Sequence, residues 1–295
     1  MTFVRLMCTI GMLVGFLAGP AQAQAVKVFV SIAPHAHWVE QIGGDPVAVS
    51  VMLEPGDNPH TYEPTPRQMV AVSEADIYFR SGVPFEAAWM DRLKQNADSL
   101  QVVDLREGIE LRDMEDHLCL DHDHHHHHEH GAGGNKDPHT WLSPLKAKQQ
   151  AETIAAALQE ADPSHAEDYE RNLKAFQERL QALHEDIAEQ LADLEHRRFL
   201  VYHPAWGYFA DAYGLEQVPI EIEGKEPTAR QLAQIIDYAK EQGIKAIFVQ
   251  QQFSRKTGQA IASAIGGEVI AIDPLARNYF ENLRTIAQRL AEALR

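Results

Sequence analysis

At 295 residues, 45% hydrophobic and 23% charged, the chain has the length and composition of one large globular domain or two ordinary ones, which excludes a disordered or fibrous polymer. Its formal net charge of -17 repels phosphate backbones and anionic lipid and attracts cations, which excludes nucleic acid as a partner.

Residues 1–23 read as a secretory signal peptide. Arg5 gives a positive start, residues 6–18 are an apolar stretch, and Ala21-Gln22-Ala23 is a cleavage signal of small residues. The apolar stretch is too short for a membrane span, so the mature chain is expected to be released into the periplasm. No cysteine stands at the cleavage point, which argues against a lipid anchor there. Of the two cysteines, Cys8 leaves with the peptide and Cys119 remains alone, so no intramolecular disulfide can form.

Beyond residue 24, strand-like runs alternate with helical ones. Residues 26–30 and 47–53 are β-branched runs, the second ending at the turn signal Pro55-Gly56. Residues 77–79 and 102–103 follow as further strands. The segments 38–42 and 66–71 carry helical patterns between them. The second half repeats the scheme with strands at 199–202, 246–249 and 269–272 and helices at 229–242 and 256–265. This alternation predicts an α/β protein with parallel sheets and helices on their faces. A faint echo relates residues 29–34 to 199–204: both run from apolar residues into a proline-headed helical segment. It fits two similar, Rossmann-like lobes.

Between the halves, residues 163–194 contain no glycine and no proline after Pro163. Tyr169, Leu173, Phe176, Leu180, Leu183, Ile187 and Leu191 step by three and four, one apolar face of a helix. The stripe lasts only about three heptads, short for a coiled coil, and is read as a single long helix joining the lobes. The expected organisation is a signal peptide over 1–23, an N-terminal lobe over 24–160, a linking helix over 161–195 and a C-terminal lobe over 196–295.

Half of the 16 histidines fall in one window: His117, His122, His124, His125, His126, His127, His128 and His130 are interleaved with acids and followed by glycines. This composition cannot build a core, so 116–134 is read as a loop. Imidazole suits zinc, copper and nickel, which makes the loop an auxiliary, weaker metal-binding segment.

Three other histidines stand in proline-flanked loops. His60 lies in Pro59-His60-Thr61-Tyr62, His139 in Pro138-His139-Thr140-Trp141, and His203 in Tyr202-His203-Pro204. Each follows a strand or a turn, and ligands of open α/β sheets gather at the carboxyl ends of strands. Asp273 follows the last strand and precedes Pro274. It is read as the fourth ligand, with helix capping as its competing role and Glu221 and Glu223 as weaker acidic alternatives. Three neutral imidazoles and one carboxylate suit a tetrahedral zinc site. His35 and His37 are helix-start residues or line an access route for the metal.

These motifs resemble those of the cluster A-I metal-binding proteins of ABC importers, of the ZnuA type, and the similarity runs from Val28 to the C-terminus. Pro-His-Thr-Tyr-Glu-Pro resembles the family's first ligand loop, Asp137-Pro-His-Thr-Trp the second, and Ile272-Asp273-Pro-Leu the last. The resemblance implies two α/β lobes joined by a rigid helix, with ligands from both lobes. It also implies Zn2+ as the transported ligand, and a monomer that serves an inner-membrane permease and its ATPase. Manganese-type members carry an acid at the third ligand position and zinc-type members a histidine, here His203.

No nucleophile elbow, P-loop or dinucleotide fingerprint occurs, and His184-Glu185 lacks the second histidine of a zinc-protease motif because position 188 is Ala. The chain is therefore read as a binding protein, not an enzyme. The competing readings are a binder of manganese or another divalent metal, a zinc buffer acting through the loop, and a metallohydrolase with Glu63 as base.

Overall fold

A computed structural model describes residues 25–96, 99–115, 136–221 and 224–295. The expected signal peptide, the histidine-rich segment 116–134 with Cys119, and Glu223 lie outside the described residues.

The N-terminal half winds through β1 (Val26–Val30), α1 (Ala33–Gly43), β2 (Val47–Val51), α2 (Pro66–Ser73), β3 (Ile77–Arg80), α3 (Pro84–Asn96) and β4 (Gln101–Asp104). Its four strands lie in the order β2-β1-β3-β4, all parallel, with Val26 opposite Val47 and Ile77 opposite Gln101. The central strands are covered on both faces, so they read as nearly continuous apolar runs. The edge strand β2 is half-buried and alternates.

The C-terminal half repeats this order. β5 (Arg198–Val201), α6 (Gly207–Tyr213), β6 (Glu216–Pro219), α7 (Ala229–Glu241), β7 (Ala246–Gln250), α8 (Arg255–Ile265) and β8 (Glu268–Ile272) form a parallel sheet ordered β6-β5-β7-β8. The segments that echo each other in sequence occupy equivalent places, the ends of β1 and β5 running into α1 and α6. The strand not anticipated is β6, whose Glu-Gln-Val-Pro sequence offers no β-branched run. It is an edge strand, where a proline is tolerated.

α4 (Pro144–Ala161) closes the N-terminal half, and α5 (Ala166–Gln190) follows it as the connection to the C-terminal half. The long helix is shorter than expected. Pro163 opens a 3-10 turn over Pro163–His165, because the residue before a proline is steered to extended backbone, and Asp162 has φ -138° and ψ 79°. Asp162 then accepts hydrogen bonds from the Ser164 hydroxyl, His165 Nδ1 and the Tyr169 hydroxyl, which seals the corner. At about 1.5 Å per residue, α5 is about 37 Å long. Its apolar stripe is buried as the spacing predicts and packs on α1, α4 and the final helix α9 (Tyr279–Leu294). One apolar core runs through both lobes by way of this stripe, and a smaller one fills the space between the second sheet and α7 and α8. Among the described residues no helix is long and apolar enough to cross a membrane.

Candidate metal centre

The carboxyl ends of both sheets face one another across the seam between the lobes. His60 comes from the loop after β2, His139 opens the 3-10 turn Thr140–Leu142, and His203 lies two residues past β5. The structure brings these three together. The His203 ring centroid is 4.7 Å from that of His60 and 5.2 Å from that of His139. His203 and His139 are buried, while an edge of His60 stays open to solvent.

Backbone anchors fix the loops. The Gln250 amide, fully buried, accepts from the His203 N–H at 3.1 Å and donates to the His203 carbonyl at 2.5 Å. Gln217 does the same for the following turn, accepting from Trp206 N and donating to Pro204 O. Trp141 ties the His139 loop to the other lobe by donating its indole N–H to Pro274 O at 2.8 Å, and the Tyr279 hydroxyl donates to Trp141 O at 2.7 Å. Phe253 lies flat against the His203 ring, with centroids 5.1 Å apart and planes at 19°.

Two carboxylates set the tautomers. His139 Nδ1 lies 2.7 Å from Asp137 Oδ1, and His203 Nδ1 lies 2.5 Å from Glu221 Oε1. Asp137 and Glu221 are buried. A carboxylate only accepts, so each Nδ1 carries the proton and each Nε2 presents a lone pair. The two Nε2 atoms face each other at 3.4 Å. Two lone pairs so opposed repel unless a proton or a metal cation lies between them. For tetrahedral zinc with bonds of about 2.0–2.1 Å, two ligand nitrogens sit about 3.3 Å apart. Loss of solvent, then the neighbouring imidazoles of His203 and His139, lower the His60 pKa to about 4, and burial lowers that of His139. Both rings are therefore neutral at pH 7, the form that coordinates a metal.

The pocket between the rings has a volume of about 20 Å³ and is lined by the three histidines with Trp141, Gln252 and Phe253 among its walls. That holds about one water-sized occupant, which is the scale of an ion. As they stand, no three His, Cys, Asp or Glu side chains among the described residues are arranged to hold an ion together. The His139–His203 pair is already at coordinating spacing.

Asp273 is placed differently. It lies past β8 as predicted, but it lines an adjoining cavity of about 620 Å³ together with His37, Glu54 and Arg277. Its Oδ1 accepts from Gln252 Nε2 and from Leu275 N, both at 3.0 Å. Glu221, weighed as an acidic ligand, instead orients His203. His35 lines no access route. It is fully buried between Ser81 and Gln150, and burial lowers its pKa to about 3. Glu63 is exposed and absent from the pocket wall. His184 packs on Tyr213.

Ligand histidines are tuned by the carboxylates behind them, and loss of such a partner costs about 10–100-fold in metal affinity. Glu221→Ala is expected to weaken zinc binding by about that factor in a competition titration. Glu221→Gln, which accepts the same hydrogen bond without the charge, is expected to lose less. Equal affinities for both variants and the wild type would show that the His203 tautomer does not govern binding.

A family model described as "Zinc-uptake complex component A periplasmic" matches residues 28–293. The high-affinity zinc uptake system protein ZnuA of Bacillus subtilis (strain 168) is 32% identical over 87% of this chain and 81% of its own length. The manganese-binding lipoprotein MntA of Halalkalibacterium halodurans is 29% identical over 83% and 78%. A crystal structure of a ZnuA deletion mutant with zinc bound superposes with a TM-score of 0.83 at 42% identity, covering 92% of this chain and 98% of that one. With parallel sheets of the same kind, and with a match from end to end of both lobes, the chain belongs to the ZnuA family of metal-binding, substrate-binding proteins.

Proposed function

We propose that the protein is the zinc-capturing component of an ABC importer, holding Zn2+ between its lobes with His60, His139 and His203 and delivering it to a membrane permease driven by a separate ATPase. The observation that carries this reading is the pair of Nε2 lone pairs from opposite lobes, 3.4 Å apart at the mouth of an ion-sized pocket. His60, on the exposed rim, closes in to make the third bond. Asp273, expected from sequence as a direct ligand, supplies the acidic charge of the site from the adjoining cavity. A nitrogen-rich donor set favours zinc over manganese, which prefers oxygen. The likeness to a manganese-binding relative makes that metal the competitor to include.

The same reading takes residues 1–23 as a cleaved signal peptide, so that the mature chain works as a periplasmic monomer. Its lobes are residues 24–160 and 196–295, with 161–195 as their connection. The histidine-rich segment 116–134 serves as an auxiliary, weaker zinc collector. Its flanks are Asp113 and Lys136, bridged to each other, and His139 follows three residues later.

The test is metal content and competition binding on the mature wild type and on a variant lacking residues 116–130. One tight zinc per chain is expected in both, with manganese bound far more weakly. Loss of all tight binding with the loop would make the protein a buffer and overturn the interlobe assignment.

A further inference from the structure

Gln252, two residues past β7, lines both the ion-sized pocket and the larger cavity that holds Asp273. Its amide has a fixed sense. The nitrogen donates to Asp273 Oδ1 at 3.0 Å, and a carboxylate facing it cannot donate in return, so the amide cannot flip. The oxygen then points away from Asp273. Gln252 Oε1 is buried and finds no hydrogen-bond donor. A buried acceptor left without a partner is unusual in a native protein and calls for an explanation.

We infer that Gln252 Oε1 is the fourth donor to the metal, completing a shell of three imidazole nitrogens and one amide oxygen. This rests on the three-histidine reading above. Gln252 also borders the 620 Å³ cavity, so a water-bridged contact is the rival arrangement, and it would leave a position that azide can enter. Asp273 is then a positioning residue. Its carboxylate orients the amide and, through the N–H···O bond, polarises the amide oxygen toward negative charge. The acid acts on the metal through Gln252 without binding it, and the metal's own shell stays neutral. A neutral shell holds a divalent ion less firmly than one with a carboxylate in it, which suits a protein that must hand its cargo on.

The experiment uses the mature chain loaded with Co2+, whose visible bands report the number and kind of donors, together with zinc competition titrations. The wild type is expected to give a four-coordinate spectrum that azide leaves unchanged, because no position is open. Gln252→Ala is expected to keep one metal per chain, lose about 10–100-fold in zinc affinity, and show azide-dependent bands as the anion takes the vacated position. Gln252→Glu retains an oxygen donor and is expected to stay insensitive to azide. Asp273→Asn is expected to keep the wild-type band pattern while losing less affinity than Gln252→Ala. A wild-type spectrum and affinity for Gln252→Ala, or a larger loss and altered bands for Asp273→Asn, would overturn the inference and return the fourth position to Asp273. His203→Ala separates the two levels. If it loses the metal while Gln252→Ala does not, only the fourth-donor inference fails. If it too binds normally, the three-histidine site fails with it.

Discussion

Replacing His203 with alanine is expected to weaken zinc binding about 10²–10³-fold. Zinc held by four protein donors is worth roughly 10–16 kcal/mol, so one nitrogen accounts for about 3–4 kcal/mol, and each 1.4 kcal/mol is tenfold in affinity. His203 is the member to remove because its ring touches both of the others. Competition titration against a calibrated chelator reads the effect, and a loss below tenfold would show that the imidazoles do not hold the ion. His203→Asp carries the argument into metal choice. An acid here would imitate the manganese-type pattern, but it would face the buried carboxylate of Glu221. Two carboxylates in one desolvated site cannot both ionise easily, and one takes up a proton. His203→Asp alone is therefore expected to bind both metals poorly. His203→Asp with Glu221→Gln removes the clash and is expected to regain manganese binding relative to zinc. That outcome would place selectivity in the pairing of ligand and backing residue, which a comparison of ligands alone does not reveal.

Much of this was legible in the sequence because the relevant signals are local. The strands of parallel sheets, covered on both faces, read as β-branched runs, and every one of these was visible except β6, where a half-polar edge strand gives no periodic cue. His60, His139 and His203 stood out because proline and a strand end flank each. The apolar stripe sets α5 but not its ends: the pattern covers 163–194 and the helix Ala166–Gln190, since whether Pro163 opens an α-helix or a 3-10 turn depends on the side chains that Asp162 gathers. What could not be read are roles set by long-range contacts. Glu221 finds His203 across 18 residues, and Gln252 finds Asp273 across 21. Neither pairing leaves a spacing rule behind. That Asp273 faces the adjoining cavity is likewise set by its bonds to Gln252 and Leu275 N, not by its place after β8. The sequence leaves His35 as a helix-start residue or part of the metal's route, and its place in the first turn of α1, buried against Ser81 and Gln150, decides for the first.

Phe176→Ala is expected to destabilise the metal-free protein by about 3–5 kcal/mol, the range for deleting a fully buried aromatic ring. Phe176 is 2% exposed on α5. Its ring lies 6.2 Å from that of Trp38 on α1 and 5.5 Å from that of Phe280 on α9, so a single side chain on the connecting helix is packed by both lobes. Trp38 in turn meets Tyr279 of α9 edge-on at 5.1 Å. The seam is thus an aromatic cluster of edge-on and tilted rings, with Arg179 lying over the Phe280 ring at 4.2 Å, and it belongs to the one core that runs through both halves. Two consequences can be measured by thermal or denaturant unfolding. The variant should still unfold in one transition, at a midpoint lower by roughly 10 °C, because the lobes share their interior. Two separated transitions would mean that each lobe is stable alone and that α5 merely tethers them. Zinc should then offset the loss. A ligand that binds only the folded state at about a thousand times its Kd adds about 4 kcal/mol, close to what the missing ring removes. Because the chain unfolds as one unit, rescue of this size requires only that the ion bind the folded arrangement and not the unfolded chain, as a site assembled from His60, His139 and His203 would. A bound ion that failed to raise the midpoint of Phe176→Ala would be held equally well by the unfolded chain, and with that the assembled interlobe site would fall.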